Sequence, residues 1–195
     1  MSLTDEPDGR RRRALDSRAR IVAAMLALIQ GGDLSPSAEA VAAKAGVGLR
    51  TVFRHFADME QLYLEMTSVM EAELRAVANQ AFIGRTWRER VLELIPRRGG
   101  AFEAIAPFRR AADARRHTSH VLQQLHDRLA ATLRQILRAQ VPQSLADDAV
   151  RFEALDLLLS YEAWDRLRRD QHLSPAAARA VLDQAVNALI DVPPP

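Results

Sequence analysis

Residues 37–62, SAEAVAAKAGVGLRTVFRHFADMEQL, constrain this chain more than any other stretch, because two short helical patterns meet there at a Gly-Val-Gly corner. Ala38, Val41, Ala42 and Ala45 recur at helical spacing, and alanine favours helix while leaving room for a close neighbour. Gly46 then stops the helix, since glycine enters the left-handed conformation of a helix C-terminus at little cost. Val47 fills the corner. From Gly48 a second helix places Val52 and Phe56 four apart on one face, which leaves Leu49, Arg50 and Arg54, with Thr51 and His55 beside them, to point outward. The spacing predicts a helix-turn-helix; the plain alternative is an ordinary antiparallel helix corner that binds nothing.

The outward residues favour the first reading. DNA offers phosphates along its rails and hydrogen-bonding base edges in the major groove, which a single helix can enter. Arginine can serve both, and Thr and His suit phosphate oxygens. The charge distribution agrees. The chain as a whole is +2, yet residues 10–56 hold nine Lys or Arg against three acids, while the remainder is slightly acidic. A positive field confined to one end is what attraction to phosphates requires.

The run AGVGLRTVFRHFADMEQL resembles the AGVS..TLYxHFxxKExL pattern of TetR-type (tetracycline-repressor-like) transcriptional regulators, matching it at Ala45, Gly46, Val47, Thr51, His55, Phe56, Glu60 and Leu62. The resemblance implies an all-α chain, a three-helix N-terminal DNA-binding domain followed by a helical body that binds a small-molecule effector and forms a homodimer. It implies DNA contacts at Ser37, Leu49, Arg50, Thr51, Phe53, Arg54 and His55. Three positions depart from the pattern. Gly48 stands where a capping Ser is usual, a loss of only a few tenths of a kcal/mol, roughly. Phe53 replaces Tyr, so a phenol-to-phosphate hydrogen bond cannot form, and Met59 replaces a Lys at the start of the fourth helix. Arg50, Arg54 and the basic N-terminal run are the available compensation.

Residues 1–14 are expected to form a disordered basic arm, being polar, with Pro7 and Gly9 and little to bury. The Arg10 to Arg13 run reads either as a solvated tail or as an arm that follows phosphates or enters a minor groove. A helix is expected from Asp16 or Ser17 to Gln30, carrying Ile21, Val22, Met25, Leu28 and Ile29 on one stripe and ending at Gly31-Gly32. Its first residues, Arg18 and Arg20, are near enough to the motif to meet the DNA backbone. The helix-turn-helix domain is thus placed at 15–62, with Pro36 in the first turn of its second helix and a flanking serine as the cap.

The body is placed at 63–195. A long connector helix starts near Asp58 and reaches toward Gln80, and the capping-box form of Thr86-Trp87-Arg88-Glu89 opens the next, expected to stop at Ile95 before Pro96. Arg97-Arg98-Gly99-Gly100 is read as a loop, because no strand precedes it and no Gly-Lys-Ser/Thr follows. Helices over 101–114, bent at Pro107, and 119–140 come after it. The final segment is expected as two antiparallel helices joined at His172-Leu173, the second opened by Ser174 and Pro175. Their apolar residues, among them Phe152, Leu155, Leu158, Leu159 and Trp164 against Val181, Leu182, Ala185, Val186, Leu189 and Ile190, suggest burial on two sides and hence a homodimer.

Other chemistries find little support. There is no cysteine and no Gly-x-Ser-x-Gly elbow, so no enzyme is expected. His117 and His120 share a helical face without a well-placed third ligand, and surface histidines are the reading adopted; no metal and no cofactor are expected. No apolar core follows the charged N-terminus and no apolar run spans a membrane, so no membrane partner is expected, and the DNA-binding motif points to the cytoplasm. An effector would be largely apolar, lined by some of Trp87, Phe102, Phe108, Phe152, Tyr161 and Trp164. Two readings remain at this point: a ligand-gated regulator that binds double-stranded DNA, most simply as a repressor at a palindromic operator, and a helical small-molecule-binding module or enzyme with a vestigial helix-turn-helix.

Overall fold

The computed structural model describes residues 6–191, and among them the chain is helical with no strand. The helices run in the order α1 (Glu6–Gln30), α2 (Ala38–Ala45), α3 (Leu49–His55), α4 (Met59–Ala78), α5 (Trp87–Arg116), α6 (His120–Arg138), α7 (Gln143–Asp147), α8 (Ala149–Leu158), α9 (Tyr161–Asp165) and α10 (Pro175–Ile190). A π-helical turn, Arg166–Asp170, follows α9. The all-α architecture expected from the sequence is present. No helix of the described residues is long and apolar enough to cross a membrane.

One compact unit comprises Met1–Ala72 with Pro107–Gln123. Its core is Ile21, Met25 and Ile29 of α1, Val41 and Ala42 of α2, Val52 and Phe56 at α3, and Leu62, Tyr63 and Met66 of α4, all buried. One expectation is corrected here. α1 begins at Glu6, so the backbone of Arg10 to Arg13 is helical and not a disordered arm; Arg, Leu and Ala are good helix formers, and a proline in the first turn gives up an N–H that has no intrahelical partner. Residues 1–5 of the expected arm lie outside the described residues.

The boundary expected after Leu62 lies within α4 (Met59–Ala78). Tyr63 is fully buried in this first unit, and its hydroxyl donates to the Leu34 carbonyl at 3.3 Å. The Arg115 guanidinium stacks 4.9 Å from the Tyr63 ring centroid and donates to the Ser35 hydroxyl at 2.7 Å. The Ser119 hydroxyl, at the start of α6, hydrogen-bonds Glu60. A stretch distant in sequence is therefore bonded to the loop that enters α2 and to the first turn of α4.

The other unit comprises Glu73–Ala106 with Gln124–Pro195. The capping box at its entrance forms as read: Glu89 N–H donates to the Thr86 hydroxyl at 3.2 Å, and Thr86 N–H donates to the Glu89 carboxylate at 3.0 Å. α5 then continues through Pro96, Gly99, Gly100 and Pro107 without a break, so Arg97-Arg98-Gly99-Gly100 is helix and not loop. The reason lies in what these residues touch. Arg97 pairs with Glu93 one turn earlier and donates to the Gln80 carbonyl at 2.6 Å. Arg98 is buried, and its guanidinium donates to the carbonyls of Leu159 at 2.8 Å and Leu133 at 2.5 Å, joining α5 to α6 and to the end of α8. Burial pushes that guanidinium down to about 10, so it stays charged at neutral pH. Gly99 lies under the Trp164 ring, where no side chain fits.

The expected final helix pair is also corrected in its first member, which is divided into α7, α8 and α9 with the π-turn. Asp148 and Ser160 act as N-caps, accepting from Arg151 N–H and Ala163 N–H, each at 3.1 Å. Short polar side chains that compete for backbone donors end one helix and begin the next. The second member is as expected: Ser174 accepts from Ala177 N–H at 3.2 Å and Pro175 opens α10. α10 packs on α8, and Leu182, Val186 and Ile190 of the one and Phe152 and Leu155 of the other are all buried. His172 takes a left-handed φ of 55° in the connection.

Candidate nucleic-acid interface

The corner between α2 and α3 is set by its terminal residues. Ser37, exposed before α2, accepts from Ala40 N–H at 3.2 Å, which makes it the N-cap and leaves Pro36 ahead of the cap instead of in the first turn. The Ser37 hydroxyl also engages Glu39, whose carboxyl is held below the usual range first by its own backbone N–H and then by that hydroxyl. Gly46 takes the left-handed conformation, φ 64°, and α2 closes there as the sequence predicts. Gly48 caps α3 in extended conformation without a side-chain bond, leaving open space around it.

Around α3 successive residues advance by about 100°, which divides the helix into faces. Val52 and the following Phe56 are buried, each 1% exposed. Leu49 and Phe53 form a stripe on one flank, exposed by 37% and 47%. Arg50 and Arg54 form the next stripe, opposite the core and exposed. Thr51 and His55 occupy the far flank and are half-buried. The seven residues expected at DNA are thereby separated: Leu49, Arg50, Phe53 and Arg54 share one open surface, Ser37 caps α2, and Thr51 and His55 sit at the edge of the core.

His55 departs most from an outward placement. Its Nε2 is enclosed and makes no hydrogen bond, and its carbonyl accepts from the Arg18 guanidinium at 2.8 Å. Desolvation, then the positive charges of Arg54 and Arg18, hold the imidazole below its usual pKa.

The arginines of this unit divide into two groups. Arg18 pairs with Glu65 at 2.9 Å and stacks 4.3 Å from the Phe56 ring centroid. Arg20 donates to the Ala45 carbonyl at 2.9 Å and the Gly46 carbonyl at 3.1 Å, satisfying the C-terminus of α2. Both were expected at the DNA backbone, and both are engaged in holding the three helices together. Nothing in the sequence marks this use, because Arg18 and Glu65 meet only once α1 and α4 are packed. By contrast Arg50 and Arg54 have no hydrogen bond or ion pair among the described residues. Two cationic side chains with their donors unspent, on a helix face that the core does not need, are suited to an anionic, hydrogen-bond-accepting surface.

The aromatic residues expected to line an effector site are mostly core. In the second unit Phe102 and Tyr161 meet edge to face, centroids 5.6 Å apart, and the Trp164 indole N–H donates to Glu103 at 2.8 Å. Glu103 also pairs with Arg168 of the π-turn at 2.7 Å. Phe102, Tyr161 and Trp164 thus lie along the same two turns of α5. Phe152 is apart from them, with the guanidinium groups of Arg134 and Arg138 at 4.8 Å and 4.7 Å from its ring. Trp87 is half-buried under Arg88, and Phe108 is buried in the first unit. Among the described residues no group of three His, Cys, Asp or Glu is arranged to hold a metal ion.

Residues 21–66, which span α1 to the middle of α4, match the model of the bacterial regulatory proteins of the tetR family. In structure the chain is similar to a transcriptional regulator from Rhodococcus sp. Rha1, with a TM-score of 0.73 and 20% identity over 91% of this chain and 99% of that one. It is also similar to a proposed TetR-family transcriptional regulator from Rhodococcus sp., with a TM-score of 0.64 and 17% identity over 90% of this chain and 99% of the other. No curated protein matches it in sequence.

Proposed function

We propose that this chain, whose residues 21–66 match the tetR-family model, is a TetR-type DNA-binding transcriptional regulator, a repressor that binds a palindromic operator as a homodimer and is released by a small, largely apolar effector. The observation that carries the reading is the stripe of Arg50 and Arg54 on α3, without a hydrogen bond or ion pair among the described residues, while Arg18 and Arg20 are spent on the fold. Arginine on an exposed helix reads guanine edges through two parallel hydrogen bonds and phosphates through one. Thr51, beside them, reaches phosphate.

Support for a homodimer comes from α8 and α10. Val150, Leu157 and Val181 are exposed by 81%, 66% and 45% on helices whose other faces are already packed. A two-fold interface between these helices buries them and dictates half-sites related by symmetry. The effector reading rests on the apolar character of Phe102, Tyr161 and Trp164. An effector releases DNA only by binding one of two dimer arrangements more tightly, and operator must then weaken effector binding by the same factor. Repression takes place in the cytoplasm, with the DNA. Selection of bound duplexes from a randomised pool tests the proposal: enrichment of an inverted repeat supports it, and enrichment of a single asymmetric site or of no sequence opposes it.

A further inference from the structure

The stripe beside the arginines is unexplained by phosphate or guanine contacts. Phe53 is the only one of the six phenylalanines in the chain that is exposed, and Leu49, one turn before it, is exposed on the same flank. Both lie beside the core face of Val52 and Phe56, yet they leave 37% and 47% of their surface in water. The part of an aromatic ring and of a branched aliphatic side chain left in water side by side is apolar surface that an apolar partner would cover favourably. The occupant is constrained by their neighbours: Arg50 and Arg54 run parallel to the stripe, so whatever covers it is apolar in one place and anionic or rich in acceptors alongside. The major groove has one apolar group, the C5 methyl of thymine, set among acceptors and flanked by phosphates.

We infer that Leu49 and Phe53 form a thymine-methyl reader, so that each half-site carries a thymine whose C5 methyl packs on the Phe53 ring next to the base pair addressed by the arginines. The inference rests on the DNA-binding reading above and goes beyond it by naming a base and the group on it that is recognised. The position of Phe53 makes its chemistry specific. A phenol there would have a donor for a phosphate oxygen, whereas the phenyl ring has only an apolar face and edge to offer.

The test uses the full chain and duplexes enriched from a randomised pool, resynthesised with deoxyuridine for each half-site thymine in turn, which removes the methyl and leaves pairing and acceptors intact. At one position the uracil duplex binds the wild-type protein about fourfold more weakly per methyl removed, and replacing both symmetry-related thymines compounds the loss. Phe53→Ala binds the thymine duplex more weakly but no longer distinguishes it from the uracil duplex, and circular dichroism of this surface variant remains that of wild type. Leu49→Ala gives a second variant with the same expected loss of discrimination. Equal binding of thymine and uracil duplexes by the wild type at every position overturns the inference alone, as does unaltered discrimination in both variants. Failure of any duplex to be enriched overturns the DNA-binding reading and this inference with it.

Discussion

Gly99 lies against Trp164 so closely that a Cβ on the glycine would stand 2.8 Å from Cη2 and 2.9 Å from Cζ3 of the indole. Trp164 is 2% exposed and tethered by its N–H to Glu103, so the ring has nowhere to move. Gly99→Ala is therefore expected to destabilise the chain by about 2 kcal/mol through overpacking. Gly100, the next residue, has nothing within 4 Å of a built Cβ and is exposed. Gly100→Ala is expected to stabilise by about 1 kcal/mol, the helix-propensity difference. Thermal unfolding of the two variants, which differ from each other by one position along α5, should give shifts in Tm of opposite sign.

A pH dependence follows from His55. Its folded pKa lies below the ordinary histidine value because of desolvation and the charges of Arg54 and Arg18, so near and below that ordinary value the unfolded chain binds more protons than the folded one. Stability attributable to this group is complete above about pH 6.5 and is lost as the pH falls through the lower folded pKa. His55→Asn should reduce the fall in Tm between neutral and mildly acid buffer. An unchanged fall in the variant would assign the acid sensitivity elsewhere.

On DNA, Arg50→Ala is expected to weaken the selected duplex by about 1 to 3 kcal/mol and to relax base preference at one position in each half-site. Thr51→Ala, as a phosphate contact, should weaken selected and unrelated duplexes alike. Competition titrations separate the two effects, and identical patterns for both variants would remove the division of roles.

For the dimer, Leu157→Asp and Val181→Asp place charge on the exposed faces of α8 and α10 and should give folded monomers with poor DNA affinity. Leu182 is 4% exposed within its own subunit, so Leu182→Asp should unfold the chain instead of dividing a dimer. Sedimentation alongside circular dichroism distinguishes these outcomes, and a wild-type protein that is monomeric at micromolar concentration contradicts the interface.

The corner at Gly46 and Gly48 was legible from sequence because its determinants are local: a left-handed glycine, an alanine-rich helix before it and two apolar residues four apart after it. The same holds for Thr86 with Glu89 and for Ser174 with Pro175, where cap and partner lie within one turn. What was not legible depends on residues far apart in the chain. Arg98 and Gly99 looked like loop residues because the carbonyls of Leu133 and Leu159 and the ring of Trp164, which keep them in a helix, are supplied by other elements. Arg18 resembled a DNA contact for the same reason, its partner Glu65 being 47 residues away. Asp148 and Ser160 fell inside an apolar pattern long enough to pass for one helix, and their side chains prevail over that pattern by taking backbone donors.

The affinity of the wild-type protein for its selected duplex, set against its affinity for a scrambled duplex of equal length at one fixed salt concentration, tests the account most directly. The account predicts a ratio of about a thousandfold or more, reduced toward unity when Arg50 and Arg54 are both replaced by alanine. Equal affinity of the wild-type protein for the two duplexes would contradict it.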